Sequence, residues 1–90
     1  MSAQIIIEKK NEAQLKNLGA EKWGIWTKEK SEFDWYYDSE EQCYILEGIA
    51  AVKTSSGDYE IKKGDFVTFK KGLKCRWIIK EDIKKHYNFL

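Results

Sequence analysis

The region from Trp23 to Ile79 alternates short stretches rich in aromatic and β-branched residues with small clusters of turn-forming residues. Such stretches are typical of β-strands whose successive side chains point to opposite faces. The predicted strands span residues 23–28, 33–37, 42–47, 49–54, 59–62, 66–69 and 75–79. Residues 55–58, 63–65 and 71–72 carry the Gly, Asp and Ser that form turns, and the chain has no proline. Turns at spacings of roughly 8 to 12 residues predict an antiparallel sandwich or barrel.

The first part of the chain predicts one short strand and one short helix. Residues 5–7 are an apolar run of strand length, and residues 11–18 are predicted to be helical. Asn11 suits the N-cap, Gln14 follows three positions later as in a capping box, and Gly19 holds the usual place of a C-terminal glycine. The predicted fold class is all-β with one short N-terminal helix.

Length and aromatic content indicate one domain. The 90 residues fall within the usual size of a single folded unit. We expect residues 1–22 to supply the strand and the helix, which lead into a barrel formed by residues 23–90. A chain of this size buries only about two-thirds of its unfolded surface. The four Trp, five Tyr and four Phe residues are therefore expected to fill much of the core.

Charge and hydropathy argue against two classes of partner. The 16 basic and 15 acidic residues leave a net charge of +1, and no run of them forms a basic stripe for nucleic acid. No apolar run approaches the ~20 residues of a membrane span, and the N-terminus does not have the pattern of a signal peptide. Two cysteines are too few for a disulfide scaffold. We therefore expect a cytoplasmic protein with reduced thiols.

Two short segments carry a family resemblance. The first is YILEG at residues 44–48, with Glu41 before it, and the second is GDFVTF at residues 64–69, with Gly72 and Cys75 after it. Together they resemble the two sequence motifs of the cupins. The segments that look most like the small single-domain proteins of the ureidoglycine aminohydrolase-like cupin group are 35–38, 43–48 and 71–77. This resemblance implies a jelly-roll barrel, the double-stranded β-helix of cupins, which usually holds a metal ion.

The metal-binding histidines of that pattern are replaced in this chain. The corresponding positions are Asp34 and Tyr36, or Trp35 and Tyr37 with a spacing one residue shorter, and then Cys75. Only Glu41 remains of the usual four ligands. We therefore expect no histidine-ligated metal and no cofactor. The aminohydrolase activity of longer relatives depends on a bound metal, so the resemblance does not bring that activity to this chain.

Strand alternation groups the candidate catalytic residues. Glu41, Cys43 and Ile45 share one face of their strand, and Cys75 and Trp77 share one face of theirs. If both faces point into the barrel, Glu41 and Cys75 approach each other. One interpretation is a soft-metal site formed by the carboxylate and one or two thiolates. Another is catalysis, with a partly desolvated Glu41 as the base and Cys75 as the nucleophile. The alternative is structural: both cysteines simply pack, because cysteine is often buried, and Glu41 is a buried carboxylate bonded to a Tyr or Arg side chain.

The candidate ligand-binding residues are mostly aromatic. They are Trp35, Tyr36, Tyr37, Cys43, Trp77 and His86. Rings at the barrel mouth stack on a flat small molecule, although a small barrel also needs such rings to fill its core. His86 is either a general acid or base at the pocket or a structural residue near the C-terminus.

Binding of a small molecule in the barrel is the leading functional hypothesis. The alternative is an enzyme that uses Glu41 and Cys75, either a metal-independent isomerase or lyase or a weak metalloenzyme. A third hypothesis is an interaction module, because the apolar strand at residues 5–7 is available to pair with a second subunit as a homodimer.

Overall fold

A computed structural model describes residues 4–90, and within that range the chain forms seven β-strands and one short α-helix. The elements in chain order are β1 (Ile5–Lys9), α1 (Glu12–Leu18), a 3-10 turn (Ala20–Lys22), β2 (Gly24–Lys28), β3 (Ser31–Tyr36), β4 (Glu41–Thr54), β5 (Gly57–Lys62), β6 (Asp65–Phe69) and β7 (Lys74–Phe89). All strand pairs are antiparallel. The predicted all-β fold with one short helix is confirmed.

Two long strands, β4 and β7, organise the sheet. They pair with each other from Glu41↔Phe89 to Lys53↔Arg76. The first part of β4 also pairs with β6, which continues to β1, and its second part pairs with β5. Likewise, β2 pairs with the end of β7 and β3 pairs with its beginning. Each long strand therefore belongs to both walls of the barrel, and the residues between the walls form the core.

The strands at β4 and β7 are longer than predicted. Segments 42–47 and 49–54 are one continuous strand, and the strand predicted at 75–79 continues to Phe89. The inward positions of β4 change from odd to even numbers, from Ile45 to Ala50, because the ladder is irregular between them. Such bulges bend a strand without ending it.

Gly48 lies in this irregular segment, between the two strands that were predicted separately. Its φ is +97°, a conformation that side chains with a Cβ rarely adopt. A Cβ at this position would lie 2.2 Å from the carbonyl oxygen of Asp82 on β7. The glycine thus lets β4 and β7 approach closely where both strands bend.

The predictions for the N-terminal elements and the β5–β6 turn are confirmed. The Asn11 side chain accepts a hydrogen bond from the backbone N–H of Gln14, and the Gln14 side chain accepts one from the backbone N–H of Asn11, both at 2.9 Å. Gly19 ends α1 with a φ of +72°. In the β5–β6 turn, Asp65 accepts a hydrogen bond from the amide of Lys62 at 2.9 Å.

The N-terminal strand occupies an edge of the sheet. β1 pairs with β6 on one side, and Ile6 and Ile7 are exposed. The homodimer expected through this strand stays a prediction. In the part of the chain that the structure describes, no helix is long and apolar enough to cross a membrane.

The side chains predicted to share inward faces do so. Glu41, Cys43 and Ile45 of β4 are buried, as are Cys75 and Trp77 of β7. Aromatic rings pack against one another inside the barrel. The rings of Tyr37 and Phe69 stack at 4.7 Å between centroids, and those of Phe33 and Trp77 stack at 6.2 Å. The core is thus built largely from the aromatic residues that the composition indicated.

We predict that Gly48→Ala destabilises the fold much more than Gly72→Ala. Both glycines have a φ between +90° and +100°, but no atom lies within 4 Å of a Cβ built at Gly72. The Gly72 change should cost about 1 kcal/mol for the backbone conformation alone. The Gly48 change should cost about 3 kcal/mol or more because it adds a backbone clash. Urea unfolding measures both values, and equal losses would contradict the role assigned to Gly48.

Candidate functional site

The barrel contains a cavity with mainly aromatic walls, which we call the aromatic cavity. Its volume is about 160 Å³. The residues that line it are Trp26, Phe33, Trp35, Tyr37, Glu41, Trp77, Lys85, Tyr87 and Phe89. They come from β2, β3, β4, β7 and the segment after β3. Only Glu41 and Lys85 among them carry a formal charge at neutral pH, so the cavity combines one ion pair with a shell of rings.

Lys85 and Glu41 form a buried ion pair. Lys85 Nζ donates a hydrogen bond to Glu41 Oε2 at 2.6 Å. Only 6% of the lysine side chain and 4% of the glutamate side chain are exposed. Lys85 lies opposite Ile45 of β4 and Trp26 of β2, and Glu41 lies near the start of the same β4–β7 ladder. The two long strands therefore hold both charges.

Aromatic faces surround the ammonium group. Lys85 Nζ lies 4.9 Å from the ring centroid of Trp26, 5.0 Å from that of Trp77 and 5.8 Å from that of Phe69. A cation above an aromatic face is attracted by the negative potential of the ring, and this attraction grows where water is scarce. The rings therefore replace part of the hydration that Lys85 loses on burial.

Sequence reasoning missed Lys85, although the chain carries a signal for it. The inward positions of β7 remain odd-numbered, and Ile79, Ile83 and Lys85 are buried. The polar run Lys80-Glu81-Asp82 resembles the end of a strand, so the predicted strand ended at Ile79. Continuation of the alternation would have placed the lysine inside the barrel.

Tyr37 places a neutral hydroxyl group beside the ion pair. Its Oη accepts a hydrogen bond from Trp77 Nε1 at 3.2 Å. Burial raises the pKa of Tyr37 above its ordinary value, and the negative charge of Glu41 raises it further. The phenol therefore stays protonated, and its hydrogen is available to a ligand in the cavity.

The structure brings together four of the predicted site residues. Glu41, Trp35, Tyr37 and Trp77 line the aromatic cavity. Trp35 is 47% exposed and lies at the opening. Cys43 follows on the same face of β4 but is fully buried and does not line the cavity. The roles assigned to these residues stay predictions.

The other predicted site residues lie elsewhere. Cys75 and Tyr36 line a shallow surface depression with Asp34 and Lys53, so the structure does not bring Cys75 and Glu41 into one cavity. His86 lies on the opposite face of β7 from Lys85 and lines a groove beside α1. Its Nδ1 is 3.2 Å from the carbonyl oxygen of Trp23. The positions of Tyr36 and His86 follow from alternation, because neighbours along a strand point to opposite faces. Cys75 shares the inward face of Trp77 but lies at the start of β7 and does not line the aromatic cavity.

Both cysteines are poorly suited to nucleophilic chemistry at neutral pH. Burial raises the pKa of Cys43 to about 12, with Lys85 opposing the shift. Burial also raises the pKa of Cys75 to about 11, and the charge of Asp34 adds to the shift. Because the thiolate is the reactive form, each thiol is largely unreactive near pH 7.

The residues of the cavity do not fit the metal ion that cupins usually hold. Within residues 4–90, no group of three or more His, Cys, Asp or Glu side chains is placed to bind a metal. The sequence resemblance suggests Glu41 as the one remaining ligand, but its carboxylate already faces the Lys85 ammonium group. A divalent cation at Glu41 would be repelled by this positive charge.

Comparison with known proteins identifies the family. The family model described as the EutQ-like cupin domain matches residues 15–87. This chain belongs to that family. A solved structure of a DUF861 family protein from Thermotoga maritima is 57% identical to it, with a TM-score of 0.93. That match covers 96% of this chain and 99% of the Thermotoga chain. A comparison with curated proteins found no match.

More distant structures share the cupin fold. The EutQ protein of Clostridium difficile is 18% identical with a TM-score of 0.67, and the match covers 73% of this chain and 52% of that protein. A putative ethanolamine utilization protein Q from Salmonella typhimurium is 16% identical with a TM-score of 0.67, over 97% of this chain and 58% of that protein. At these identities the likeness shows the fold alone. This EutQ-like cupin spans little more than half the length of either protein.

We predict strong coupling between Glu41 and Lys85 in a double-mutant cycle. Either Glu41→Leu or Lys85→Met leaves an unpaired charge in the barrel and should cost about 3–5 kcal/mol. The double variant should be more stable than either single variant, because it removes both charges. Urea unfolding gives the free energy of unfolding of each protein, and the coupling energy is the difference between the effect of the double variant and the sum of the two single effects.

The surface pair Asp34–Arg76 is the matched control for this cycle. Its nitrogen and oxygen atoms are 3.0 Å apart, but the two side chains are 84% and 47% exposed. Alanine substitutions there should show a coupling below about 1 kcal/mol. If the two cycles give the same coupling, Lys85 and Glu41 do not form a water-excluded pair.

We predict that the thiols react slowly at pH 7 and faster as the pH rises. With a pKa of about 11 for Cys75, about one thiol in ten thousand is ionised at pH 7. Labelling of native protein by iodoacetamide should accelerate about tenfold per pH unit up to pH 9. Cys75→Ser identifies which thiol reacts. Labelling at a pH-independent rate would show that the raised pKa does not control the reaction.

Proposed function

We propose that this EutQ-like cupin binds a small flat molecule in the aromatic cavity, with the polar edge of the ligand at Lys85 and Glu41. The observation that carries the proposal is a buried ion pair that lines an open, ring-walled cavity. Ligand sites in proteins are typically apolar concavities with a few convergent polar groups. The family match supports the cupin fold but names no ligand.

The size of the cavity sets the size of the ligand. Its volume is about 160 Å³. An engineered apolar cavity of about 150 Å³ in another protein holds one benzene molecule. A ligand with one ring, or an acyclic molecule of similar size, therefore fits. Larger ligands would extend past Trp35 into solvent.

The polar groups set the chemistry of the ligand. An ammonium group has three N–H donors, and Lys85 directs one of them to Glu41 Oε2. Among the described residues, no hydrogen bond reaches Glu41 Oε1, which is thus available as an acceptor. Tyr37 offers its hydroxyl hydrogen. A neutral ligand whose carbonyl oxygen accepts from both Lys85 and Tyr37, and whose N–H donates to Glu41, satisfies all three groups, as a carboxamide does.

Binding without a histidine-ligated metal is part of the proposal. His86, the only histidine of the sequence, lies in the groove beside α1, and Glu41 is paired with Lys85. Membership of the narrower ureidoglycine aminohydrolase-like group is likewise proposed, on the segments that resemble it. Its metal-dependent activity does not follow from that resemblance.

The enzyme alternative has weaker support in its original form. It relied on Glu41 and Cys75 acting on one substrate. The two side chains line different concavities, and burial keeps the Cys75 thiol protonated. Binding of a small molecule requires only the residues that the cavity brings together.

We predict that benzamide binds in the aromatic cavity and that benzoate binds less well. Benzamide carries one ring, one carbonyl acceptor and an N–H donor, whereas benzoate brings a second negative charge close to Glu41. Two-dimensional NMR at millimolar probe concentration should shift the indole N–H signals of Trp26 and Trp77. Under saturation at 100 times Kd, bound ligand stabilises the fold by ~2.7 kcal/mol, which a melting curve detects.

A pair of adjacent variants controls for location. Trp35→Ala removes one wall of the cavity and should weaken benzamide binding about tenfold. The stacking of the benzamide ring on the tryptophan ring contributes roughly 1 kcal/mol or more. Tyr36→Ala removes an equally exposed ring on the other face of β3 and should leave the affinity unchanged. Equal effects of the two variants, or no shift of the indole signals, would refute the proposed site.

A further inference from the structure

Lys85 combines properties that set it apart from the other lysines of the described chain. It is the one buried lysine within residues 4–90, and its amine lines a cavity open to small molecules. Its neighbour Lys84 points to the opposite face of β7 and is partly exposed. A lysine side chain can act as a nucleophile toward carbonyl groups once its nitrogen has lost a proton.

Glu41 is placed to receive that proton. The carboxylate oxygen lies 2.6 Å from Lys85 Nζ, which is within the distance for direct proton transfer. Transfer converts the ion pair into a neutral amine and a neutral carboxylic acid. A ligand that displaces water from the cavity favours this change, because separated charges are costly in an apolar site.

We infer that Lys85 forms a reversible imine with small aldehydes or ketones that enter the aromatic cavity, with Glu41 as the proton carrier. This inference rests on the proposed ligand site and goes beyond it, because it makes Lys85 a covalent group. The ligand class is a carbonyl compound of about one-ring size. The faces of Trp26 and Trp77 hold the reacting carbon near the amine.

The reaction balances with the groups that are present. Lys85 gives one proton to Glu41, and its nitrogen then attacks the carbonyl carbon to form a carbinolamine, while a proton moves from nitrogen to the carbonyl oxygen. Glu41 next gives its proton to the hydroxyl group, the C–O bond breaks and water leaves. The nitrogen lone pair closes the C=N bond. The product is a protonated imine beside an ionised Glu41, so the cavity holds the same charges before and after.

The surroundings of Lys85 favour this product. The protonated imine carries its positive charge where the ammonium group did, above Trp26 and Trp77 and beside Glu41. The planar C=N group and an attached ring stack on these aromatic faces better than a tetrahedral ammonium group does. The Lys85 side chain is only 6% exposed, and this limited access of water slows hydrolysis of the imine.

Reductive trapping tests the inference on the full chain. The protein is incubated with benzaldehyde and sodium cyanoborohydride at pH 7, and peptide mapping by mass spectrometry locates the benzyl groups. We expect Lys85 to be modified at least tenfold faster than Lys84, which serves as the internal control in the same digest. Modification of Lys85 at or below the rate of Lys84 overturns the inference without any variant.

Two variants test the role of Glu41. Glu41→Gln keeps the shape of the side chain but cannot carry the proton, so modification of Lys85 should fall at least tenfold while that of Lys84 stays the same. Glu40→Gln, at the adjacent partly exposed position, should leave both rates unchanged. Circular dichroism tests whether each variant is folded. If Glu41→Gln does not fold, the ratio of Lys85 to Lys84 modification in the wild-type peptide map decides the inference. An unchanged Lys85 rate in folded Glu41→Gln removes Glu41 from the mechanism.

The result is separable from the proposed function. Benzamide cannot form an imine under these conditions, so its binding tests the cavity alone. Benzamide binding without trapping at Lys85 refutes only the covalent step. Trapping at Lys85 that benzamide does not slow refutes the proposed placement of the benzamide-type ligand and leaves the covalent step standing.

Discussion

The antiparallel ladder between β4 and β7 is the constraint on which the rest of the structure depends. Every other strand except β1 pairs with one of these two, and β1 joins through β6. The same ladder carries Glu41 at one end of β4 and Lys85 on β7. A shift of one residue in its register would turn Lys85 toward the outside and bring Lys84 inside. The fold and the ion pair are therefore specified together.

The buried pair is not needed for the stability of the barrel. Removing an ammonium group and a carboxylate from water costs several kcal/mol each, and the attraction between them often only balances that cost. Cation–π contacts with Trp26 and Trp77 add ~2 kcal/mol in a desolvated site. An apolar pair of similar volume would give a core at least as stable. A charged pair in a ring-walled cavity is consistent with a chemical role.

Much of the fold could be predicted from the sequence because its signals are local. Strand alternation placed Glu41, Cys43 and Trp77 inside the barrel, and the capping residues of α1 were recognised from their spacing. The site was harder, because it depends on how far each strand extends. Polar residues at 80–82 concealed the continuation of β7 and therefore Lys85. The bulge at Gly48 changes the inward positions of β4, which no local pattern reveals.

The cupin motif does not determine which residues of segment 34–37 line the cavity. Trp35 and Tyr37 line the cavity, whereas the intervening Tyr36 lines only the surface depression, which Trp35 and Cys75 also border. If the alignment shifts by one residue, the motif position falls on a surface side chain instead of one that lines the cavity. Only the three-dimensional pairing of β3 with β7 resolves this choice.

The position of the site along the chain has a consequence for biosynthesis. Glu41 begins β4, but its partner Lys85 and the wall residues Tyr87 and Phe89 belong to the end of β7, which is synthesised after all the other strands. The backbone amide of Leu90 then donates to the carbonyl oxygen of Glu40 at 2.9 Å. Until this segment is available, the carboxylate of Glu41 remains hydrated and the barrel lacks one side. A growing chain thus closes the wall of the barrel and buries the carboxylate of Glu41 in the same late step.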